Sequence, residues 1–338
     1  MSTRNRIVVF AVVVTVAVIG AVGYAVHDRT RYQKRIAEAP KVASTAADAY
    51  DKAPRIVFRN TAIGTSYGLV ATVPLADPSA PRALTTVACD RVDASEKGAS
   101  CLRTERGVVT GYSWLDLSPS WATEHTEPLA GIPSRTRLSA DGTLVASTSF
   151  VTGHSYMQIG FSTATVVRKV GGSSYGNLER FQLILDGKKV NPTDRNVWGV
   201  TFAADDNTFY ATVATGGTPY LVKGDLAKRT LTTLRSPAEC PSLSPDGTHV
   251  AYKVNQGSGS TTHWTIGVLD LATGTQVLLT GEKASVDDQV EWLDDQTLLY
   301  GLPRADEAGV TDVWAIGTDA AATPRLFLKQ AWSPSVVR

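Results

Sequence analysis

Two Gly-x-Ser-x-Gly pentapeptides, Gly64-Thr65-Ser66-Tyr67-Gly68 and Gly172-Ser173-Ser174-Tyr175-Gly176, carry the spacing of a serine nucleophile on a sharp turn. That chemistry requires a strand before the serine and a helix after it, so that the hydroxyl stands on an elbow beside an oxyanion hole. Both pentapeptides lie instead in turn-rich β-type sequence, and they read as ordinary loops. The five histidines, at 27, 125, 154, 249 and 263, show no His-x-x-x-His or His-Glu-x-x-His spacing. A zinc site would have to draw its ligands from distant loops. No catalytic residue and no metal ligand is therefore assigned. Three carboxylate pairs remain, Asp205-Asp206, Asp287-Asp288 and Asp294-Asp295. Two of them sit in tight turns, where aspartate bonds its own backbone. Asp287-Asp288 does not, and it precedes the apolar run Val290-Glu291-Trp292.

The elements that would position such residues follow from a repeat. Leu243-Ser244-Pro245-Asp246-Gly247-Thr248-His249-Val250-Ala251-Tyr252 has a close copy at 138–147 and looser ones at 202–211 and 292–300. Each unit reads as a short strand, a tight turn and an apolar second strand. Proline presets φ, aspartate bonds the backbone and glycine takes the positive φ that reverses the chain. The copies start at 138, 202, 243 and 292. Spacing of this order is the mark of a β-propeller, with about 40 to 60 residues to a four-stranded blade.

The decapeptide Leu243 to Tyr252 resembles the repeat of the TolB-like propeller family, Leu-Ser-Pro-Asp-Gly-x-x-[VIL]-Ala-[FY]. The resemblance implies an all-β, six-bladed propeller in the cell envelope that holds a peptide or protein partner across its channel face. It covers the propeller only, without the α/β domain that accompanies the propeller in TolB. Similar propellers precede the hydrolase domain of prolyl oligopeptidases, for which this sequence leaves no room.

Blades are expected at 54–87, 88–130, 132–197, 198–235, 239–280 and 286–330, with the Gly/Ser stretch Gly171 to Gly176 lengthening the third. That long interval also leaves space for a seventh. Residues just before innermost strands line the mouth of a propeller's channel, which places Arg135, Asn196, Glu239 and Asp288 around one opening. Such a concave site suits a small ligand, a peptide end or a cation such as Ca²⁺. The alternative is a ring of solvated or mutually paired loop residues. Trp114, Trp121, Trp198, Trp264, Trp292 and Trp314 are expected to pack between blades.

The totals bound the function classes. A net charge of +1 over 338 residues offers no basic patch for nucleic acid. Of three cysteines, Cys89 and Cys101 flank a polar stretch that turns a hairpin, and their pairing would suit an oxidising compartment. Cys240 is left as a buried apolar residue.

Ahead of the propeller stand a short tail, 1–6, and twenty uncharged residues, Ile7 to Val26. A helix of that length is about 30 Å long and spans a bilayer's hydrocarbon core. It reads as an uncleaved signal anchor; the rival is a signal peptide with Gly23 and Ala25 at a cleavage site. Residues 27–53 form a stalk that extends the helix until Pro40, and 54–338 the propeller. Arg29, Arg31, Lys34 and Arg35 outnumber Arg4 and Arg6, which argues for a cytoplasmic propeller. The disulfide and the family resemblance argue for the outside, the orientation adopted here.

The sequence thus predicts a membrane-anchored, extracytoplasmic, monomeric propeller that binds an envelope protein or peptide and is not an enzyme. The alternatives are a lactonase-like propeller hydrolase using channel-mouth carboxylates and Ca²⁺, and an inert platform for an assembly.

Overall fold

The structure is a computed structural model that describes residues 2–39, 41–151, 162–257 and 261–338. His154 and Pro40, both singled out in the sequence, lie outside the described residues. The chain divides into two compact units, Met1–Val42 with Ala62–Tyr67, and Ala43–Thr61 with Gly68–Arg338.

In the first unit a single helix, α1, runs from Thr3 to Glu38 and is capped by Ser2, whose hydroxyl accepts from the Asn5 amide. Thirty-six residues at about 1.5 Å each exceed what a bilayer core requires. The helix is long and apolar enough to cross a membrane. Its apolar side chains, Phe10 and Ile19 among them, are exposed. It continues beyond Val26 through the charged residues to Glu38.

The second unit is a six-bladed β-propeller. Blade 2 is built from Arg91–Ser95, Gly98–Glu105, Gly111–Leu117 and Thr123–Pro128, ordered from the axis outward. Blade 3 comprises Ile132–Leu138, Leu144–Val151, Ser162–Lys169 and Ser174–Asn177. Blade 4 begins with Asn196–Phe202, Thr208–Thr215, Thr218–Asp225 and Thr230–Arg235, blade 5 with Glu239–Leu243, and blade 6 with Glu291–Asp294. Middle strands such as Leu144–Val151 are buried on both faces because each blade is sandwiched by two others. That is why they read as apolar runs, whereas the outermost strand Thr123–Pro128 is polar and exposed.

Six apolar clusters fill the six gaps between neighbouring blades. The gap between blades 3 and 4 holds Leu144, Phe181 and Phe209, and that between blades 6 and 1 holds Ile56, Phe58 and Leu299. Polar bonds stitch the innermost strands together around the axis. Ala94 N donates to Ser335 Oγ at 2.9 Å, Leu138 N to Asp93 at 2.6 Å, Leu243 N to Thr201 Oγ1 at 3.1 Å and the Trp292 indole to Ser242 O at 2.9 Å.

Three features differ from the sequence reading. Blade 1 takes its innermost strand from the far end of the chain: Ala331–Val337 pairs antiparallel with Arg55–Asn60, so Arg55–Asn60 is a second strand. A ring closed in this way leaves no open edge at the seam. The length of the third interval comes chiefly from the hairpin Gln182–Leu185 and Lys188–Val190, which joins the outer edge of blade 4 through parallel pairing with Thr230–Arg235. There is no seventh blade in that interval's described residues, and Gly171 to Gly176 is only the turn into Ser174–Asn177. Finally, part of the expected stalk belongs to the propeller, since Ser44–Thr45 adds a parallel edge strand to blade 1.

Candidate functional site

The repeated turns form as their residues dictate. In blade 5, Asp246 accepts from Ser244 Oγ at 2.5 Å and from Thr248 N at 3.0 Å, while Gly247 takes φ +71°. Asp141 and Asp205 hold their turns in the same way, and Asp294 accepts from Gln296 N at 2.9 Å. The turns ending the innermost strands of blades 2, 3 and 5 converge around the axis and enclose a cup of about 560 Å³. Asp93, Arg137, Glu291 and Trp292 line it, and Asp93 and Arg137 also border a small cavity beside Arg91, Arg135 and Asp288.

The four residues placed at the channel mouth lie toward the opposite end, at the starts of the innermost strands, and the structure brings only two of them together. Asp288 is 2% exposed and accepts from Arg91 at 3.1 Å, with Arg135 at 3.8 Å. Glu239 pairs with Lys253 of its own blade at 3.9 Å, and Lys253 also bonds Asp287 and lies over the Trp264 ring. Asn196 accepts from Thr163 N at 2.9 Å and so joins blades 3 and 4. Each of the four is thus engaged with a neighbouring side chain or backbone amide.

Gln289 completes the closure. Its amide donates to Val200 O at 3.2 Å and Pro241 O at 2.7 Å, which ties blade 6 to blades 4 and 5. Next to this layer lies a small cavity of about 20 Å³, lined by Arg91, Arg135, Arg137 and Asp288 among others. The channel is thus stoppered, and the cup opens at the end carrying the repeated turns.

Electrostatics differ at the two levels. Burial, aided by repulsion from Arg135, lowers Arg91 to about 10, against the pull of Asp288. On the cup side Arg137 bonds Glu291 directly and stands 3.7 Å from Asp93. Burial raises Glu291 above the usual carboxylate range; Arg137 opposes this and the charge of Asp93 adds to it. Burial likewise raises Glu239.

Sequence reasoning missed Arg91, Asp93, Arg137 and Lys253. The signal for the first two was present: Arg91-Val92-Asp93-Ala94-Ser95 alternates apolar and polar residues ahead of a Glu96-Lys97-Gly98 turn. The Gly-x-Ser-x-Gly pentapeptides lack elbow geometry, for Gly64 to Gly68 leads into the strand Leu69–Pro74. Trp114 and Trp292 are buried between blades. Cys89 and Cys101 form a disulfide, and Cys240 is buried.

No family model and no curated protein sequence matches this chain. Among solved structures it is similar to TolB from Acinetobacter baumannii, with a TM-score of 0.56 and 16% identity over 84% of this chain and 66% of that one. It thus spans just under two thirds of that TolB. A protein described as TolB from Agrobacterium tumefaciens gives 0.49 and 13% over 83% and 91%, and the periplasmic gluconolactonase of Pseudomonas aeruginosa 0.42 and 12% over 84% and 99%. At these identities the likeness is one of fold. In fold, the chain is a TolB-like six-bladed propeller.

Proposed function

We propose that this chain is a membrane-anchored, extracytoplasmic binding module that receives a peptide or protein partner of the cell envelope in the cup at the turn end of its propeller, without turning it over. The observation that carries this reading is the cup: a blind recess of about 560 Å³, within the size range of ligand pockets. Its deepest acids, Asp93 and Glu291, are engaged with Arg137, an arrangement suited to holding a polar group and not to handing protons on. The disulfide Cys89–Cys101 supports an oxidising compartment, and α1 supports anchoring.

The test is site-specific photocrosslinking in native membranes. A photoreactive residue at Lys97, on the cup rim, should trap a polypeptide that the same group at Thr123, on the outer edge of blade 2, does not. Equal yields from both positions, or none from the rim, would overturn the reading. Release of a cleaved small product from the cup would favour the hydrolase alternative.

A further inference from the structure

We propose that the cup selects the cationic end of its ligand, a primary ammonium such as a peptide α-amine or a lysine side chain, and seats it between Asp93 and Glu291. This rests on reading the cup as a peptide-binding site and adds the chemistry it recognises.

The charges around the cup are unbalanced. Five carboxylates and three cationic side chains line it, an excess of two negative charges. The imbalance is sharpest at the floor, where Asp93 and Glu291 share the single guanidinium of Arg137. Asp93 is 6% exposed and the Glu291 side chain 13%, so water screens this surplus poorly. Burial keeps Glu291 above the ordinary carboxylate range even with Arg137 bound to it, and the charge of Asp93 adds to the rise; a cation seated beside both acids would offset it. An ammonium supplies that charge along with three N–H donors.

A second observation points into the same space. Tyr210 is 8% exposed and lines the cup, and among the described residues its hydroxyl has no hydrogen-bond partner. That hydroxyl is open to a hydrogen bond from a ligand amide or to a ligand carbonyl. Below the floor the balance reverses, with Arg91 and Arg135 sharing Asp288. A cation is therefore held at the Asp93 and Glu291 level and not drawn deeper.

The experiment retains random octapeptides on the immobilised full chain in detergent micelles, comparing a mixture with free α-amines to one that is Nα-acetylated and free of lysine and arginine. The expected result is at least tenfold weaker retention of the blocked mixture. Glu291→Gln should also lose retention of the free-amine mixture. Because Glu291 pairs with Arg137 and its variant needs a folding check by circular dichroism, Glu96→Lys on the exposed rim serves as a second variant and should show the same loss. Equal retention of both mixtures, or enrichment of acidic peptides, would overturn the charge rule while peptide binding stands. Retention of neither mixture would sink both readings.

Discussion

Arg168 and Asp116 meet across the boundary of blades 2 and 3 in a two-pronged ion pair, with both contacts at 2.8 Å. The guanidinium also lies 4.0 Å from the centre of the Trp114 ring. Arg168 is 1% exposed and Asp116 3%. Removing Asp116 leaves the buried Arg168 with the partly exposed Glu127, 3.5 Å away, as its remaining carboxylate, so Asp116→Ala should lose about 3 kcal/mol. Replacing both, as Asp116→Leu with Arg168→Met, should come within about 1 kcal/mol of the parent or exceed it. Urea unfolding of the three proteins decides this, and a double variant as unstable as the single one would contradict it.

The disulfide ties the crossover from blade 1 to the second strand of blade 2, with both sulfurs buried. Closing a loop with a sequence separation of 12 stabilises by about 3 kcal/mol through the unfolded chain. The paired change Cys89→Ser with Cys101→Ser should lower stability by that amount. In protein alkylated after denaturation without reductant, only Cys240 should take up label; three labelled cysteines would show the bond absent in cells.

Asp288 is expected to act as a structural counter-ion at the stopper. In Asp288→Asn the guanidiniums of Arg91 and Arg135 lose their shared anion, at a cost of about 3 kcal/mol. Photocrosslinking from Lys97 should persist in the folded variant. Loss of crosslinking with unchanged stability would instead make Asp288 part of the binding surface.

Two glycines with similar backbones should respond differently to alanine. Gly247 at φ +71° has open space where a Cβ would stand, so Gly247→Ala should cost only the left-handed strain, about 1–2 kcal/mol. Gly199 at φ +68° would put a Cβ 2.7 Å from Cys240 Cα, backbone of the next blade's innermost strand. Gly199→Ala must also push two blades apart and should lose clearly more. Equal losses in thermal unfolding would refute the close approach.

The Lys228 amide, together with the Lys228 side chain, lowers Asp225 to about 2. A depressed carboxylate favours the folded state above its unfolded value near 3.8, and this contribution fades as pH falls toward 2. Carboxyl-detected NMR titration should place the Asp225 midpoint near 2 in the parent. In Lys228→Ala, which keeps the amide and removes the ammonium, it should rise part of the way; a midpoint near 3.8 in the parent would refute the interaction.

Much of the architecture was legible because it is local. Turns such as Ser244 to Thr248 are closed by residues within five positions of one another. The helix is a composition signal, and the hairpin between Cys89 and Cys101 is set by its own turn. The innermost strand Arg91–Ser95 was harder to see: it is short and polar because its alternate residues face the axis.

By itself the sequence determined the repeat, the tight turns, the membrane-length helix and the cysteine pair, since each depends on neighbours along the chain. Tertiary structure alone decided which strand closes the ring, which blade receives the hairpin at 182–190, and which end of the channel is open. Arg91 meets Asp288 across 197 positions and Arg137 meets Glu291 across 154. Pairings of that range depend on how six blades bring their innermost strands around one axis, where burial turns charges that read as a mouth in sequence into the stopper beneath a cup.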